Sequence, residues 1–223
     1  MKRLTAADWA GAEVCADMLE DMASKPGAAV NVVLFDDFET LDVFGPVEVI
    51  GRLPGAYRLG FYSLGGGLVA SAQNVRVHTL PSSEADPSGV LLVPGGRGTR
   101  SLVDDPDFTA RLLELAQQAS YILAVCTGAA LLARTGVLDG RRATSNKLAF
   151  DWVTSTRPQV DWVRRARWVK DGTVYTSSGV SAGIDMALGF IADRHGVEIA
   201  QGIANHIEYV WNPDAGDDPF APE

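Results

Sequence analysis

Residues 121–134 read YILAVCTGAALLAR, and this segment gives the clearest indication of the fold class. Its first five residues form a short apolar run, which predicts a strand that is buried on both faces. A helical pattern follows at once and continues to about Arg134, so Cys126 lies at the point where the strand gives way to the helix. A strand that leads directly into a helix is typical of a parallel α/β sheet.

The same alternation of strand and helix extends outward along the chain. Apolar runs between turn residues predict strands at 28–35, 57–64, 68–80 (one or two short strands) and 90–93. Helical spacing predicts helices at 38–53, where Pro46 introduces a kink or a break, and at 106–119. We therefore predict an α/β fold, a single domain with a doubly wound, mostly parallel sheet and flanking helices.

The C-terminal third adds a hairpin and two helices to this pattern. Residues 161–169 and 173–177 alternate in character around the turn Asp171-Gly172, which predicts an antiparallel ribbon at the edge of the sheet. Ser181 is the predicted N-cap of a helix through residues 185–194. The other elements predicted here are a strand near 142–144, a helix at 147–153 and a last helix at 197–211.

Two segments flank the predicted domain, which spans residues 28–212. Residues 1–27 carry apolar side chains at helical spacing and predict a helical extension packed outside the main fold. Residues 213–223 form an acidic tail, which we expect to be frayed.

The composition is that of an ordinary globular protein: 47% of the residues are hydrophobic and 21% are charged. A net charge of −9 disfavours a nucleic-acid partner, and the basic run 164–167 is expected to be the solvated side of a strand. No apolar run approaches the roughly 18 residues needed to cross a bilayer, and residues 1–27 lack the apolar region of a secretion signal. We therefore expect a cytoplasmic protein that binds neither membranes nor nucleic acid.

The cysteines and histidines give no sign of a metal site. Cys15 and Cys126 lack the C-x-x-C spacing of metal ligands, so free thiols are expected. His78, His195 and His206 are better explained by structural roles, and they form no cluster with cysteine or glutamate. We predict neither a metal nor a cofactor.

Cys126 occupies the position of a nucleophile elbow, where a sharp turn between strand and helix exposes the sulfur. The first backbone N–H groups of the helix would then lower the pKa of the thiol and favour the reactive thiolate. The alternative is a buried structural cysteine, which is the common fate of a free thiol.

Two more strand ends carry candidate site residues. Gly95 and Gly96 follow the strand at 90–93, and backbone N–H groups of Gly96 and Thr127 would form an oxyanion hole beside the sulfur. A tight strand-to-helix turn is one alternative. A phosphate loop is the other, and it is disfavoured because residues 95–101 lack the Gly-Lys-Ser/Thr ending. Asp42 lies in an apolar stretch that should raise the pKa of its carboxyl and suit it to acid or base chemistry, unless it caps the adjacent helix.

Four motifs in this order resemble the ThiJ/PfpI superfamily, which is related to the class I glutamine amidotransferases. They are LDVFGP at 41–46, LVPGG at 92–96, VCTG at 125–128 and SGVSAGID at 178–185, and the resemblance covers about residues 28–211. It implies the flavodoxin-like three-layer sandwich. The first and third motifs look most like isocyanide hydratases and the sensor domains of some transcription regulators. Proteases and amidases of the superfamily carry histidine where this chain has Thr127, which argues against peptidase activity.

The resemblance implies a mechanism and a set of site residues. Cys126 would attack an isocyanide to give a thioimidate that water converts to an N-formamide, and Asp42 would transfer the protons. Thr127 would position groups near the sulfur, and Asn146, Gly179 and Val180 would line the substrate pocket. Asn146 stands where hydratases commonly have histidine, which leaves the substrate open. A homodimer often completes the site in this superfamily.

Two hypotheses about function therefore stand side by side. The first is a cysteine-dependent enzyme that acts on a small molecule, as an isocyanide hydratase or, alternatively, with glyoxalase or amidase chemistry. The second is a non-catalytic ligand or redox sensor, in which oxidation of Cys126 is the signal. Regulators with this fold usually continue into a helix-turn-helix region, and only twelve residues follow Trp211 here, so we favour the enzyme.

Overall fold

A sheet of eight strands forms the centre of the computed structural model, which describes residues 27–222. Its strands are β1 (Ala28–Val33), β2 (Tyr57–Ser63), β3 (Gly67–Ala70), β4 (Arg76–Pro81), β5 (Val90–Val93), β6 (Tyr121–Val125), β9 (Trp168–Asp171) and β10 (Val174–Ser177). A separate two-stranded sheet pairs β7 (Arg142–Ala143) with β8 (Asp161–Trp162). The helices are α1 (Thr40–Gly51), α2 (Thr99–Leu102), α3 (Pro106–Gln118), α4 (Gly128–Arg134), α5 (Phe150–Thr156), α6 (Ala182–His195) and α7 (Val197–His206).

The strand order of the large sheet is β3-β4-β2-β1-β5-β6-β10-β9. All pairs between β4 and β10 are parallel, whereas β3 pairs with β4 and β9 pairs with β10 in the antiparallel sense. The chain places β2 on one side of β1 and then crosses to place β5 on the other side. This reversal makes the sheet doubly wound and creates a crevice at the carboxyl ends of the central strands.

Helices cover the sheet in two groups, as the sequence predicts. Helices α1 and α7 each contact α6, and α2, α3 and α5 each contact α4. Every residue of β5 and β10 is buried, which requires cover on both faces of the sheet. The predicted fold, a mostly parallel sheet between two layers of helices, is therefore confirmed.

Several element boundaries differ from the predictions. Helix α1 starts at Thr40 and continues through Pro46, and α7 ends at His206 instead of residue 211. The segment predicted as one strand at 161–169 divides between two sheets, because β8 pairs with β7 while β9 pairs with β10. Ser181 precedes α6 as predicted, but its hydroxyl makes no capping bond and receives a hydrogen bond from Arg167 instead.

Two predictions are wrong in part: the acidic tail at 213–223 is not simply frayed, and the basic run at 164–167 is not solvated throughout. Asp218 is buried in the segment expected to be frayed, and its backbone N–H donates to the carbonyl of Arg165 at 3.2 Å. Arg167, expected on a solvated face, is also buried and forms ion pairs with Asp185 at 2.8 Å and with Asp218 at 3.5 Å. These charges lie far apart in the sequence, so only the folded chain brings them together.

The predicted helical extension at 1–27, including Cys15, lies outside the described residues except for Gly27. Within residues 27–222, no helix is long and apolar enough to cross a membrane.

Candidate active site

Four adjacent parallel strands bring the four sequence motifs to one edge of the sheet. Strands β1, β5, β6 and β10 lie side by side and run in the same direction. Each of their carboxyl ends leads into one motif: the start of α1 with Asp42, the turn at Gly95 and Gly96, the elbow at Cys126, and residues 178–180. The segment 178–180 therefore lies at the same edge of the sheet as the three strand ends that carry Asp42, Gly95 and Cys126.

Cys126 has the strained backbone of a nucleophile elbow. Its φ is +58°, in the left-handed region that non-glycine residues rarely adopt. The turn is fixed from both sides, because the Cys126 N–H donates to the carbonyls of Ser177 and Ser178 at 3.2 and 3.3 Å. The Ser145 hydroxyl donates to the Cys126 carbonyl at 2.7 Å. Such strain persists only where surrounding bonds hold it, and here they aim the sulfur at the sheet edge.

Asp42 is fully buried beside the thiol. Its Oδ2 accepts a 2.9 Å hydrogen bond from the Gly95 N–H, and the carboxyl also interacts with the Cys126 thiol and the Val180 N–H. Its Oδ1 is buried and has no hydrogen-bond partner among the described residues. Asp42 lies inside α1, whose N-cap is Glu39, so helix capping does not explain the carboxyl.

The pKa of Asp42 is raised to about 8, as the sequence predicts. Burial is the main cause, because it penalises the charged form, and the nearby charge of Glu39 adds to it. The Gly95 N–H stabilises the carboxylate and opposes this rise. At neutral pH the carboxyl is therefore a neutral acid that can donate a proton.

The expected lowering of the thiol pKa is wrong for the free protein. Burial raises the pKa of Cys126, and a negative charge on Asp42 raises it further. The N–H groups of Thr127 and Val180 lower it but do not outweigh the loss of solvent. Because two negative charges cannot be accommodated in this buried space, the thiol and the carboxyl titrate as a coupled pair.

Gly95 and Gly96 position side chains and do not form the expected oxyanion hole. The Gly96 N–H is taken by Thr127 Oγ1 at 3.1 Å, and Thr99 Oγ1 donates to the same oxygen at 3.2 Å. The Gly95 N–H is likewise taken by Asp42. The backbone donors that reach the sulfur are those of Thr127 and Val180.

Both glycines are required by their surroundings. A Cβ on Gly95 would lie 2.6 Å from Thr127 Oγ1 and 2.9 Å from Asp42 Oδ2. Gly96 has a φ of +127° and would place a Cβ 2.3 Å from the carbonyl of Asp37. Any side chain here would displace the groups around the sulfur.

Val180 is a second strained residue at the site. Its φ is +48°, which is a true outlier for a β-branched side chain. This conformation accompanies an N–H that interacts with both the thiol and the Asp42 carboxyl. Backbone strain thus occurs on both sides of the sulfur.

A pocket of about 340 Å³ is lined by Val180, whose N–H interacts with the Cys126 thiol, but Cys126 and Asp42 are not among its walls. Its walls are Asn146, Lys147, Leu148, Ser178, Gly179, Val180, Ser181 and Phe220. The three residues predicted to bind substrate, Asn146, Gly179 and Val180, are therefore together. Asn146 packs so closely on Gly179 that a Cβ there would lie 2.2 Å from Nδ2, and its Oδ1 accepts the Ala149 N–H at 3.0 Å.

Residues 28–193 match the DJ-1/PfpI family. The chain belongs to this family. It is 31% identical to isonitrile hydratase of Pseudomonas putida over 86% of this chain and 84% of that protein. It is 32% identical to the HTH-type transcriptional regulator CdhR of Pseudomonas aeruginosa over 70% of this chain but only 46% of the regulator. The crystal structure of a ThiJ/PfpI family protein from Pseudomonas syringae superposes with a TM-score of 0.77 at 26% identity, covering 91% of this chain and 85% of that one.

Sequence reasoning missed three side chains around this DJ-1/PfpI site. Ser145 supports the elbow and Thr99 supports Thr127, and each is a buried hydroxyl whose partner comes from another strand end. Arg100 also interacts electrostatically with Cys126, while its guanidinium lies 3.3 Å from the centre of the Trp152 ring. The run Ala-Thr-Ser-Asn at 143–146 was the available signal for Ser145. Arg100 packs on Trp152, which is distant in the sequence, so the residues around Arg100 gave no indication of its position.

Proposed function

We propose that this DJ-1/PfpI protein adds water to an isocyanide and releases an N-formamide. The observation that carries the proposal is the pairing of Cys126 with a buried Asp42 whose pKa is about 8 and whose Oδ1 has no hydrogen-bond partner in residues 27–222. Such a pair supplies a nucleophile and a proton carrier in one place. The 31% identity to isonitrile hydratase over most of both chains supports the same reaction.

The reaction balances with water as the second substrate. The reactive state of the Cys126–Asp42 pair holds one proton, so that Cys126 is a thiolate and Asp42 is protonated. The thiolate adds to the terminal carbon of the isocyanide, and this carbon takes the proton from Asp42, which gives a thioimidate and leaves Asp42 as a carboxylate. Asp42 then takes a proton from water and passes it to the nitrogen while the hydroxyl adds to the same carbon. Expulsion of the sulfur forms the formyl C=O and returns one proton to the pair. No oxidant or reductant is consumed.

The N–H groups of Thr127 and Val180 support this chemistry at the sulfur. Both stabilise negative charge there, as their effect on the thiol pKa shows. They therefore favour attack and, later, departure of the sulfur as a thiolate. The pocket next to Val180 would hold the organic group of the isocyanide.

A substrate panel tests the proposal. Isocyanide, methylglyoxal and an amide are offered to the wild type, Cys126→Ala and Asp42→Asn, with Cys15→Ser as the matched cysteine control. We expect formamide from the wild type and the control, no product from Cys126→Ala, and a loss of about 10² to 10⁴-fold in Asp42→Asn. Robust isocyanide turnover by Cys126→Ala would overturn the mechanism. Consumption of methylglyoxal or the amide alone would replace hydratase with glyoxalase or amidase chemistry.

A ligand or redox sensor is the second candidate, favoured by the 32% identity to a transcriptional regulator. In that case the protein should turn over none of the three substrates. Low peroxide should instead oxidise Cys126, detected by mass spectrometry of its peptide. The raised thiol pKa does not distinguish the two candidates, because the thiolate is the form that reacts with peroxide and also the form that attacks an isocyanide.

A further inference from the structure

The C-terminal segment 214–222 is fastened to the fold by buried charges. The Asp218 side chain is fully buried and lies 3.5 Å from both Arg167 Nη1 and Lys147 Nζ. Asp218 Oδ1 also accepts the Phe220 N–H at 3.2 Å. The backbone carbonyl of Ala215 accepts the N–H groups of Arg167 and Trp168, which ties the segment to the start of β9.

The cations that hold this segment are themselves fixed by the domain. Arg167 Nε donates to Asp185 at 2.8 Å, and Asp185 also accepts from the Tyr209 hydroxyl and the Asn212 N–H, each at 3.1 Å. Lys147 Nζ donates to the Ala166 carbonyl at 2.7 Å and to the Thr144 hydroxyl at 2.9 Å. The segment is therefore placed by a connected network and not by a single contact.

This anchorage brings Phe220 to the pocket that Val180 lines. Phe220 lines that pocket together with Leu148, although their positions in the chain are far apart. Both side chains remain largely open, with Leu148 100% and Phe220 72% exposed. Large apolar side chains that line a cavity and remain exposed gain most when an apolar group covers them.

We propose that Phe220 is a specificity-determining residue, which selects isocyanides whose nitrogen carries a bulky apolar group. The inference rests on the proposed function for the identity of the reaction. Val180 connects the two regions, because it lines the pocket while its N–H interacts with the sulfur. A substrate attacked at Cys126 would direct its organic group past Val180 toward Phe220 and Leu148.

The direct test is a selectivity ratio. The value of kcat/KM is measured for a bulky isocyanide, cyclohexyl isocyanide, and a small one, methyl isocyanide, in the wild type and in Phe220→Ala. We expect the bulky-to-small ratio to fall about tenfold in Phe220→Ala, the size of effect a lost apolar contact gives. Leu68→Ala, which removes an exposed leucine from β3 outside the pocket, should leave the ratio unchanged. An unchanged or increased ratio in Phe220→Ala would overturn the proposal.

A second variant distinguishes a role of Phe220 in specificity from a general loss of activity. Asp218→Asn removes the charge that pairs with Arg167 and Lys147 while Phe220 stays in the chain. If the anchored segment presents Phe220, this variant should lower the same ratio, whereas a merely structural role would lower both kcat/KM values equally. An equal loss for both substrates in both variants would contradict a role in specificity.

An assay without turnover keeps this inference distinct from the proposed function. The rate of Cys126 alkylation is measured with iodoacetamide and with its N-phenyl derivative, by mass spectrometry of the Cys126 peptide. We expect Phe220→Ala to lower the rate for the phenyl reagent relative to iodoacetamide. If the wild type hydrates no isocyanide, the proposed function fails, and the ratio of the two alkylation rates alone tests the role of Phe220. A lower phenyl-to-iodoacetamide ratio in Phe220→Ala supports the selection of apolar groups by Phe220, and an unchanged ratio rejects it.

Discussion

Gly95 donates its backbone N–H to Asp42 Oδ2 over 2.9 Å, and this bond holds the carboxyl next to the Cys126 thiol. The second carboxyl oxygen, Oδ1, is buried without a hydrogen-bond partner in the described part of the chain. A buried polar atom that lacks a partner is unusual and calls for an explanation. The role that we propose for Asp42, carrying protons to and from substrate, would account for it.

Gly95→Ala should damage both the fold and the reaction. The added Cβ would lie 2.6 Å from Thr127 Oγ1 and 2.9 Å from Asp42 Oδ2, so both of these side chains would have to move. We expect a loss of about 1–3 kcal/mol in the free energy of unfolding, measured with urea, and loss of isocyanide turnover. Gly65→Ala is the matched control, because nothing lies within 4 Å of its Cβ position. Equal behaviour of the two variants would contradict the close packing.

The pH dependence of turnover should report the coupled pair. Asp42 has a pKa of about 8, so near neutral pH the carboxyl and the thiol are both protonated. Attack requires the pair to lose one proton, and kcat/KM should therefore rise between about pH 6 and 9 with an apparent pKa near 8. A kcat/KM that is flat or falling over this range would show that Asp42 does not hold the controlling proton.

Stability should also depend on pH through Asp42. Its pKa rises from 3.8 to about 8 on folding, so the folded state binds the proton more tightly. Proton binding by Asp42 therefore stabilises the folded state by up to about 6 kcal/mol. This stabilisation is fully present below the pKa of 3.8 that Asp42 has in the unfolded chain, and it is lost as the pH rises through about 8. The free energy of unfolding of the wild type minus that of Asp42→Asn should fall between pH 4 and 8. The exposed Asp161→Asn should show no comparable trend.

Arg167 should be far more important for stability than its neighbour Arg164. Arg167→Met leaves Asp185 and Asp218 buried without their guanidinium partner, which should cost about 3–5 kcal/mol in urea unfolding. Arg164→Met breaks an exposed ion pair with Asp151 and should cost less than about 1 kcal/mol. Similar losses in the two variants would mean that the buried network does not hold the C-terminal segment.

Local patterns predicted the strands and the position of the strained turn at Cys126. The apolar run at 121–125 is buried in β6 as expected, and the residue that follows it, Cys126, has the strained turn of an elbow. The apolar neighbours of Asp42 likewise announced its burial and its raised pKa. These features depend on residues close together in the sequence, which is why they could be predicted.

The features that the sequence did not predict depend on distant partners. Arg167 stands in a basic run, and its burial follows only from Asp185 and Asp218. The Gly96 N–H was expected to face the sulfur, but the hydroxyl of Thr127 takes it. The direction of the thiol pKa was wrong because the extent of burial cannot be seen in a motif. The homodimer and the cytoplasmic location stay predictions.

The most direct test of the account is a search for the covalent intermediate on Cys126. The protein is mixed with an aryl isocyanide, quenched in acid within the first turnover, and the Cys126 peptide is weighed by mass spectrometry. We predict an increase equal to the mass of one intact isocyanide, which forms and decays as formamide appears and is absent in Cys126→Ala. Formamide produced at the full rate with no adduct at Cys126, and equally by Cys126→Ala, would contradict the account.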